Sequence, residues 1–384
     1  GLHALLENTT GAQNTAVGAV AGDAITTGSN NTAVGYEAAG KLTTGTDNVA
    51  IGRAALLDTT TQAGNVAVGV EALENNTADE NVAVGKQSLR ANTTGGNNVA
   101  LGFQALLSNT TGTNNVMVGS SAGDAITTAS NNTGVGHDVL GANTSGDLNV
   151  AMGSTTLNTN TTGASNTGIG YAALTANTTA GENTAVGSGA AGATTTGNVN
   201  TVVGSNALAD NTTGSSNVAI GREALHANTT ADNNTAVGKH ALRANTTGAS
   251  NVAIGKDALL SNTTARFNTA IGSLAADALT AGDSNTAIGH AALSSDTLGE
   301  RAIAIGEGAL FTQNFTSETN NYNVAIGYNA GYSITTATQN TALGGLALDA
   351  ITTGGQNTAI GMAAGSAATT GDGGTYVGFN AGAS

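Results

Sequence analysis

Short apolar blocks recur along this chain at a fixed interval, and each block ends in glycine. The clearest example is Asn251-Val252-Ala253-Ile254-Gly255, in which three apolar residues stand between an asparagine and a glycine. The interval is 17 residues, except for one step of 16 and one of 21. The closing glycines occupy positions 18, 35, 52, 69, 85, 102, 119, 136, 153, 170, 187, 204, 221, 238, 255, 272, 289, 306, 327, 344, 361 and 378. A fixed short period of this kind predicts a repeat architecture.

The repeat contains two short extended segments. We number its slots 1 to 17 from the asparagine, so that the apolar block fills slots 2 to 4. This block is rich in β-branched residues and lies between asparagine and glycine, as short strands between turns do. Slots 12 to 14, usually Asn-Thr-Thr, form the second segment. The sequence therefore predicts an all-β fold, a parallel β-solenoid of the β-roll type with about 22 rungs and a 17-residue period.

Two slots exchange volume and are predicted to share the interior. Slot 9 is usually leucine and slot 12 usually asparagine, as in Leu259 and Asn262. In most turns where slot 9 is glycine or alanine, slot 12 is isoleucine or leucine, as in Gly123 and Ile126, whereas Ala191 with Thr194 is small in both slots. A close-packed core requires such a constant total volume, so we expect slots 9 and 12 to be in contact.

The apolar block is apolar on both faces of its strand. Slot 4 is always Val, Ile, Leu or Met, which predicts that it faces the core, and slot 3 is nearly always alanine. A strand that is apolar on both faces is buried on both. With slot 4 inside, the small slot 3 residues, such as Ala219, Ala236 and Ala253, are predicted to contact another copy of the chain.

Asparagine in slot 1 is predicted to be structural. It is present in almost every repeat, including Asn48, Asn217, Asn234 and Asn251. Stacked identical asparagine side chains can hydrogen-bond to one another as a ladder along the axis of a cross-β stack. We therefore interpret these four residues as members of a structural ladder.

One repeat is four residues longer than the 17-residue period, and three aromatic residues lie close together in it. The extra residues lie within 311–322, which includes Phe311, Phe315 and Tyr322. Insertions in solenoids map to surface loops and often to a binding face. The sequence thus predicts a candidate binding loop here, with a tolerated structural bulge as the alternative.

Composition narrows the functional classes. The formal net charge is −15, with 25 acidic and 10 basic residues, which disfavours nucleic acid as a partner. There is no cysteine and no apolar run long enough for a membrane helix. The five histidines form no metal-ligand pattern, and no nucleophile motif or phosphate loop stands out. We therefore expect no enzyme activity, no cofactor and no bound metal.

The same repeat extends over residues 1–384, which predicts a single solenoid domain. Gly1 stands in slot 5 and Ser384 in slot 11, so both ends fall within a repeat. We therefore expect this sequence to be a section of a longer protein.

The phrase Asn-Val-Ala-Ile-Gly resembles the head repeat of trimeric autotransporter adhesins, the YadA-like left-handed β-roll. The longer phrase from Asn234 to Gly238, continued by Asn245-Thr246-Thr247-Gly248, is similar to repeats of bacterial surface fibres and phage tail fibres. This resemblance implies a homotrimer and a location outside the cell, on a cell surface or on a virion.

These observations lead to a functional expectation. We expect a structural segment of an extracellular fibre that serves adhesion or attachment and contacts itself, and possible further partners are a host surface, a glycan or an abiotic surface. A phage tail fibre shaft is the alternative within this class. From other classes, an ice-binding solenoid or a polysaccharide-cleaving solenoid remain as alternatives.

Overall fold

The chain folds as a parallel β-solenoid. A computed structural model describes residues 1–382 and contains no helix within them. The solenoid has about 21 turns and a period of about 17 residues, which confirms the predicted fold class. The chain forms two compact units, Gly1–Gly189 and Ala190–Ser384.

Each strand of the first unit covers slots 2 to 4 and pairs in parallel with the strands of the neighbouring turns. Within the described residues this unit has eleven strands. They are β1 (Thr15–Val17), β2 (Thr32–Val34), β3 (Val49–Ile51), β4 (Val66–Val68), β5 (Val82–Val84), β6 (Val99–Leu101), β7 (Val116–Val118), β8 (Thr133–Val135), β9 (Val150–Met152), β10 (Thr167–Ile169) and β11 (Thr184–Val186).

The described part of the second unit repeats this arrangement and adds one small strand pair. Its strands are β12 (Thr201–Val203), β13 (Val218–Ile220), β14 (Thr235–Val237), β15 (Val252–Ile254), β16 (Thr269–Ile271), β17 (Thr286–Ile288), β18 (Gly299–Glu300), β19 (Ile303–Ile305), β20 (Thr319–Asn320), β21 (Val324–Ile326), β22 (Thr341–Leu343), β23 (Thr358–Ile360) and β24 (Thr375–Val377). Strands β18 and β20 pair only with each other, at the long repeat.

The register places every slot directly over the same slot of the next turn. In β14 and β15, for example, Ala236 pairs with Ala253 and Val237 with Ile254. Slot 5 needs glycine, because Gly255 has a φ of +137° and a Cβ there would lie 2.4 Å from the carbonyl oxygen of Gly272. This explains why the closing glycine of the repeat is never replaced.

The strand faces are the reverse of the prediction. Ala219, Ala236 and Ala253 have no exposed surface, because slot 3 points into the interior of the chain's own solenoid. The slot 4 residues Ile220 and Ile254 point outward and are each 38% exposed. The assignment of the three alanines to an oligomer contact is therefore wrong. Their small size fits a narrow interior that the leucines of slot 9 already occupy.

The slot 1 asparagines form a buried hydrogen-bonded ladder. The backbone N–H and the Nδ2 of Asn251 both donate to Oδ1 of Asn234, at 2.9 and 3.2 Å. Nδ2 of Asn251 also donates to the carbonyl of Ala265 at 2.8 Å. The backbone N–H groups of the ladder residues Asn48 and Asn217 likewise donate to Oδ1 of the asparagine one turn earlier.

Slots 9 and 12 meet inside the solenoid as predicted. At Gly22 and at Gly123, both in slot 9, an added Cβ would lie 2.9 Å from Cδ1 of the slot 12 isoleucine of the same turn. The isoleucine thus fills the space that a leucine occupies in other turns. In those other turns slot 12 asparagines form a second ladder, as where Nδ2 of Asn245 donates to Oδ1 of Asn228 at 2.9 Å.

Candidate functional site

The outward faces of the strands carry a continuous apolar stripe in each unit. Slot 4 contributes Val, Ile, Leu or Met in every turn. Slot 2 on the same face contributes Thr, Val or, in one turn, Ile303, and this residue is half-buried in most turns. We call these two columns the slot 2/4 stripe. In the second unit, for example, Val218, Ile220, Thr235 and Val237 belong to it. Turns that are about 4.8 Å apart give a stripe on the order of 50 Å long in each unit. Apolar patches of this extent on soluble proteins usually mark interaction surfaces.

The long repeat closes over a buried polar cluster. Asp296, in slot 12, accepts hydrogen bonds from Nε2 of Gln313 at 2.6 Å and from the backbone N–H of Phe315 at 3.2 Å. Gln313 in turn accepts from Nδ2 of Asn323 at 2.9 Å. Burial raises the pKa of the Asp296 carboxyl. Here an Asp–Gln pair therefore continues the interior column that asparagines form elsewhere.

The three aromatic residues of the predicted binding loop do not form one exposed cluster. Phe315 is only 5% exposed and packs inside, so the prediction that it anchors a partner is wrong. Tyr322 is 49% exposed and lies against Arg301, whose guanidinium carbon is 5.8 Å from the ring centroid. Phe311 instead stacks on Tyr332 of the following turn, with ring centroids 5.1 Å apart.

A small open groove surrounds this stacked pair. We call it the corner groove; its volume is about 250 Å³. Its walls come from slots 6 and 10 and its floor from slot 7. The lining residues are His290, Ala291, Glu307, Gly308, Phe311, Tyr328, Asn329 and Tyr332. The sequence pattern did not identify Tyr328 and Tyr332 as site residues. Only a search by slot reveals them, because Phe311 and Tyr332 are 21 residues apart and share slot 10.

Ion pairs follow the column of slot 7. Glu71 accepts a hydrogen bond from Gln87 at 2.9 Å and pairs with Arg53, and these contacts lower the pKa of its carboxyl. In the second unit, Arg243 donates to Glu223 at 2.8 Å and lowers the pKa of that carboxyl.

His240 separates two acidic residues in the same column. Its Nε2 lies 3.6 Å from Glu223, and its Nδ1 lies 3.0 Å from Asp257. Its position keeps like charges out of adjacent turns, where they would repel each other.

The threonines of slot 13 use their hydroxyl groups within the chain. Oγ1 of Thr246 donates to the carbonyl of Thr263 at 3.0 Å, and Oγ1 of Thr263 donates to Thr280 at 3.1 Å. The hydroxyls of slot 13 thus stabilise the stacking of turns, whereas the threonines of slot 14, such as Thr230 and Thr247, are exposed.

No group of three or more His, Asp or Glu side chains within residues 1–382 could hold a metal ion. These residues also contain no helix of the length and apolarity that crossing a membrane requires. A cavity of about 360 Å³ in the second unit is mostly polar, and its lining includes Thr264, Arg266 and Glu300.

Comparison with known proteins does not place the chain in a family. No protein-family model matches it, and no curated protein is similar to it.

Proposed function

We propose that this chain is a structural segment of an extracellular fibre that assembles with copies of itself and serves adhesion or attachment. The observation that supports this proposal most directly is the slot 2/4 stripe. Residues such as Ile220, Val237 and Ile254 repeat there without a covering element among the described residues. Burying such a surface against other copies would remove it from water, which is the main driving force of protein association.

The interior supports a mechanical role. Two asparagine ladders and the slot 13 threonines connect each turn to the next by side-chain hydrogen bonds in addition to the strand pairing. Buried amide groups that are paired in this way are costly to expose, so local opening is disfavoured. A chain of this kind suits a stiff spacer that carries load between an anchor and a distal contact.

The resemblance of the repeat to the heads of trimeric adhesins favours a homotrimer as the assembled state, and the outward face of the strand supplies the contact. Three equivalent stripes can converge around one axis, since closed cyclic symmetry uses the same surface of every copy. The location is outside the cell, on a cell surface or on a virion, and a phage tail fibre is one setting for such a segment.

Sedimentation analysis tests the self-association. The triple substitution Ile220→Lys, Val237→Lys and Ile254→Lys introduces three charges into the stripe and should convert a trimer into a monomer that keeps its β-sheet circular dichroism. Sedimentation of the unsubstituted chain as a stable monomer would disprove the proposal.

A matched control places the same charges elsewhere. Thr230, Thr247 and Thr264 are exposed slot 14 residues in the same three turns. Their replacement by lysine should leave the oligomeric state unchanged. If both triple variants dissociate to the same extent, net charge rather than the slot 2/4 stripe controls assembly.

A further inference from the structure

The corner groove combines aromatic rings with polar groups that have no partner. Glu307, Tyr328 and His290 are exposed in slot 6, and Phe311 and Tyr332 form the opposite wall in slot 10. Within residues 1–382, the side chains of Glu307, His290 and Asn329 hydrogen-bond to no other group. Ligand sites typically combine apolar walls with a few polar groups that orient the ligand.

The backbone creates the depth of the groove. Gly308 has a φ of +66°, and an added Cβ would lie 2.2 Å from Oδ1 of Asn329. The glycine therefore lets the Asn329 carboxamide lie across the floor. Ala291, the floor residue one turn earlier, is also small. Any larger residue at Gly308 would displace Asn329 and fill the groove.

We infer that the corner groove is a binding site for a neutral pyranose sugar, such as a terminal residue of a surface glycan. A volume of about 250 Å³ is below the range of drug-sized sites, and it suits a single ring. The C–H face of a pyranose can lie against the exposed ring of Tyr328. Its hydroxyl groups can then donate to Glu307 and to Oδ1 of Asn329, and accept from Nδ2 of Asn329.

The arrangement favours a sugar over a quaternary ammonium group. Cation recognition uses several aromatic faces that surround the charge. Phe311 and Tyr332 stack with an interplanar angle of 1°, so each ring already covers one face of the other. Tyr328, which is 57% exposed, is the lining aromatic residue outside this stack. One free ring beside several hydrogen-bonding groups matches a sugar.

This inference deepens the proposed attachment role and rests on it, but it uses none of the residues of the slot 2/4 stripe. The two proposals can therefore fail separately. Sugar binding is measured on the full chain, while sedimentation of the same samples reports the oligomeric state.

The test uses methyl glycosides of neutral hexoses and N-acetylhexosamines, with saturation-transfer NMR and calorimetry. We expect at least one glycoside to bind, and Tyr328→Ala and Glu307→Gln each to weaken binding by about tenfold or more. Tyr171→Ala is the matched control. Tyr171 also stands in slot 6 and is 64% exposed, but it lies in a repeat of normal length without an aromatic residue in slot 10. This variant should bind as the parent does.

Three outcomes would overturn the inference. The first is the absence of a signal from every glycoside. The second is an equal loss of binding in the Tyr171 variant. The third is binding of tetramethylammonium that competes with the glycosides and exceeds them in affinity. Circular dichroism and sedimentation of each variant exclude unfolding as the cause of lost binding.

Discussion

At the scale of single residues, the repeat retains the residue types that the stacked backbone requires. Slot 5 lies in a region of φ that is open almost only to glycine, and it contacts the same glycine of the next turn. Slot 1 asparagine uses both ends of its carboxamide, so aspartate or leucine cannot replace it without leaving a buried group unpaired.

Replacement of the slot 5 glycine tests this constraint. Gly255→Ala should destabilise the fold by about 1–3 kcal/mol from backbone strain alone, with a further cost from the clash with Gly272. The control is Gly345→Ala in slot 6, where an added Cβ would lie 3.8 Å from the carbonyl oxygen of Tyr328 and where another turn already has Ala19. Thermal and urea unfolding should therefore show a much smaller loss for the control. Equal losses would mean that the conformation of slot 5 is not the cause.

The buried carboxyl of Asp296 predicts a pH dependence. Burial raises its folded-state pKa above the value of about 3.9 for an unfolded chain, so folding takes up a proton between these two values. Stability of the long repeat should be highest below the unfolded pKa, fall as the pH rises through this window, and level off above the folded-state pKa. Hydrogen exchange of residues 296–323 at several pH values measures this change.

Asp296→Asn is the matched variant for this effect, because asparagine is the usual residue of slot 12. It should remove the fall in stability between acidic and neutral pH at this repeat. In the unsubstituted chain, Nδ2 of Asn262 donates to Oδ1 of Asn245 at 2.7 Å. An ionised carboxylate has no proton to donate there, so the reverse change, Asn262→Asp, should create a similar fall in stability in its own turn. An unchanged pH profile in Asp296→Asn would contradict the assignment to this carboxyl.

At the scale of the element, most turns keep the summed volume of their slot 9 and slot 12 side chains nearly constant. The ladder of slot 12 asparagines ends at turns in which slot 9 is small and slot 12 is a large apolar residue. Asn109 and Asn262 precede turns with Ile126 and Leu279 in slot 12, and the Oδ1 of both asparagines lacks a hydrogen-bond partner. The packing exchange thus interrupts the ladder and leaves an unpaired acceptor at each junction.

A paired substitution tests the coupling of slots 9 and 12. Leu259→Ala should cost about 2–5 kcal/mol, as large-to-small core changes do. The further change Asn262→Leu copies the Ala276 and Leu279 pair of the next turn and should recover part of that loss. A double-mutant cycle by chemical denaturation gives the interaction energy. Strict additivity would show that the two slots do not share one space.

At the scale of the whole molecule, pairing is confined to neighbouring turns. Every strand pair in each unit joins residues that are one repeat apart, and the ladders have the same spacing. Stability of such a repeat protein is approximately the sum of contributions from the turns and from the contacts between them. The long repeat keeps this pairing between neighbouring turns. Gln313 and Asn314 stay in register with slots 12 and 13 of the adjacent turns, and the inserted residues begin after them.

This local pairing predicts that a fragment can fold. A fragment of residues 190–384 should show the β-sheet circular dichroism of the full chain and unfold cooperatively, since its strands take their partners from within the fragment. The fragment 1–189 serves as the comparison. A 190–384 fragment without strand signal would show that the contacts between adjacent turns are insufficient.

Much of the fold could be predicted from the sequence because its constraints repeat. The period, the glycine of slot 5, the asparagine ladder of slot 1 and the exchange of volume between slots 9 and 12 each appear many times in the chain. A feature that depends on spacing alone is visible without coordinates, since stacking places equal slots over one another.

The direction of the strand face and the site at the long repeat were decided only by the tertiary structure. A three-residue strand that is apolar on both faces contains no alternation to show which face is inside. The volume of the turn decides it, because Leu259 and its equivalents fill the interior and in most turns leave space for only an alanine in slot 3. Likewise Phe311, Tyr328 and Tyr332 meet across two turns, whereas Phe315, a near neighbour of Phe311 in sequence, packs inside, because stacking and burial rather than sequence distance determine which rings share a surface.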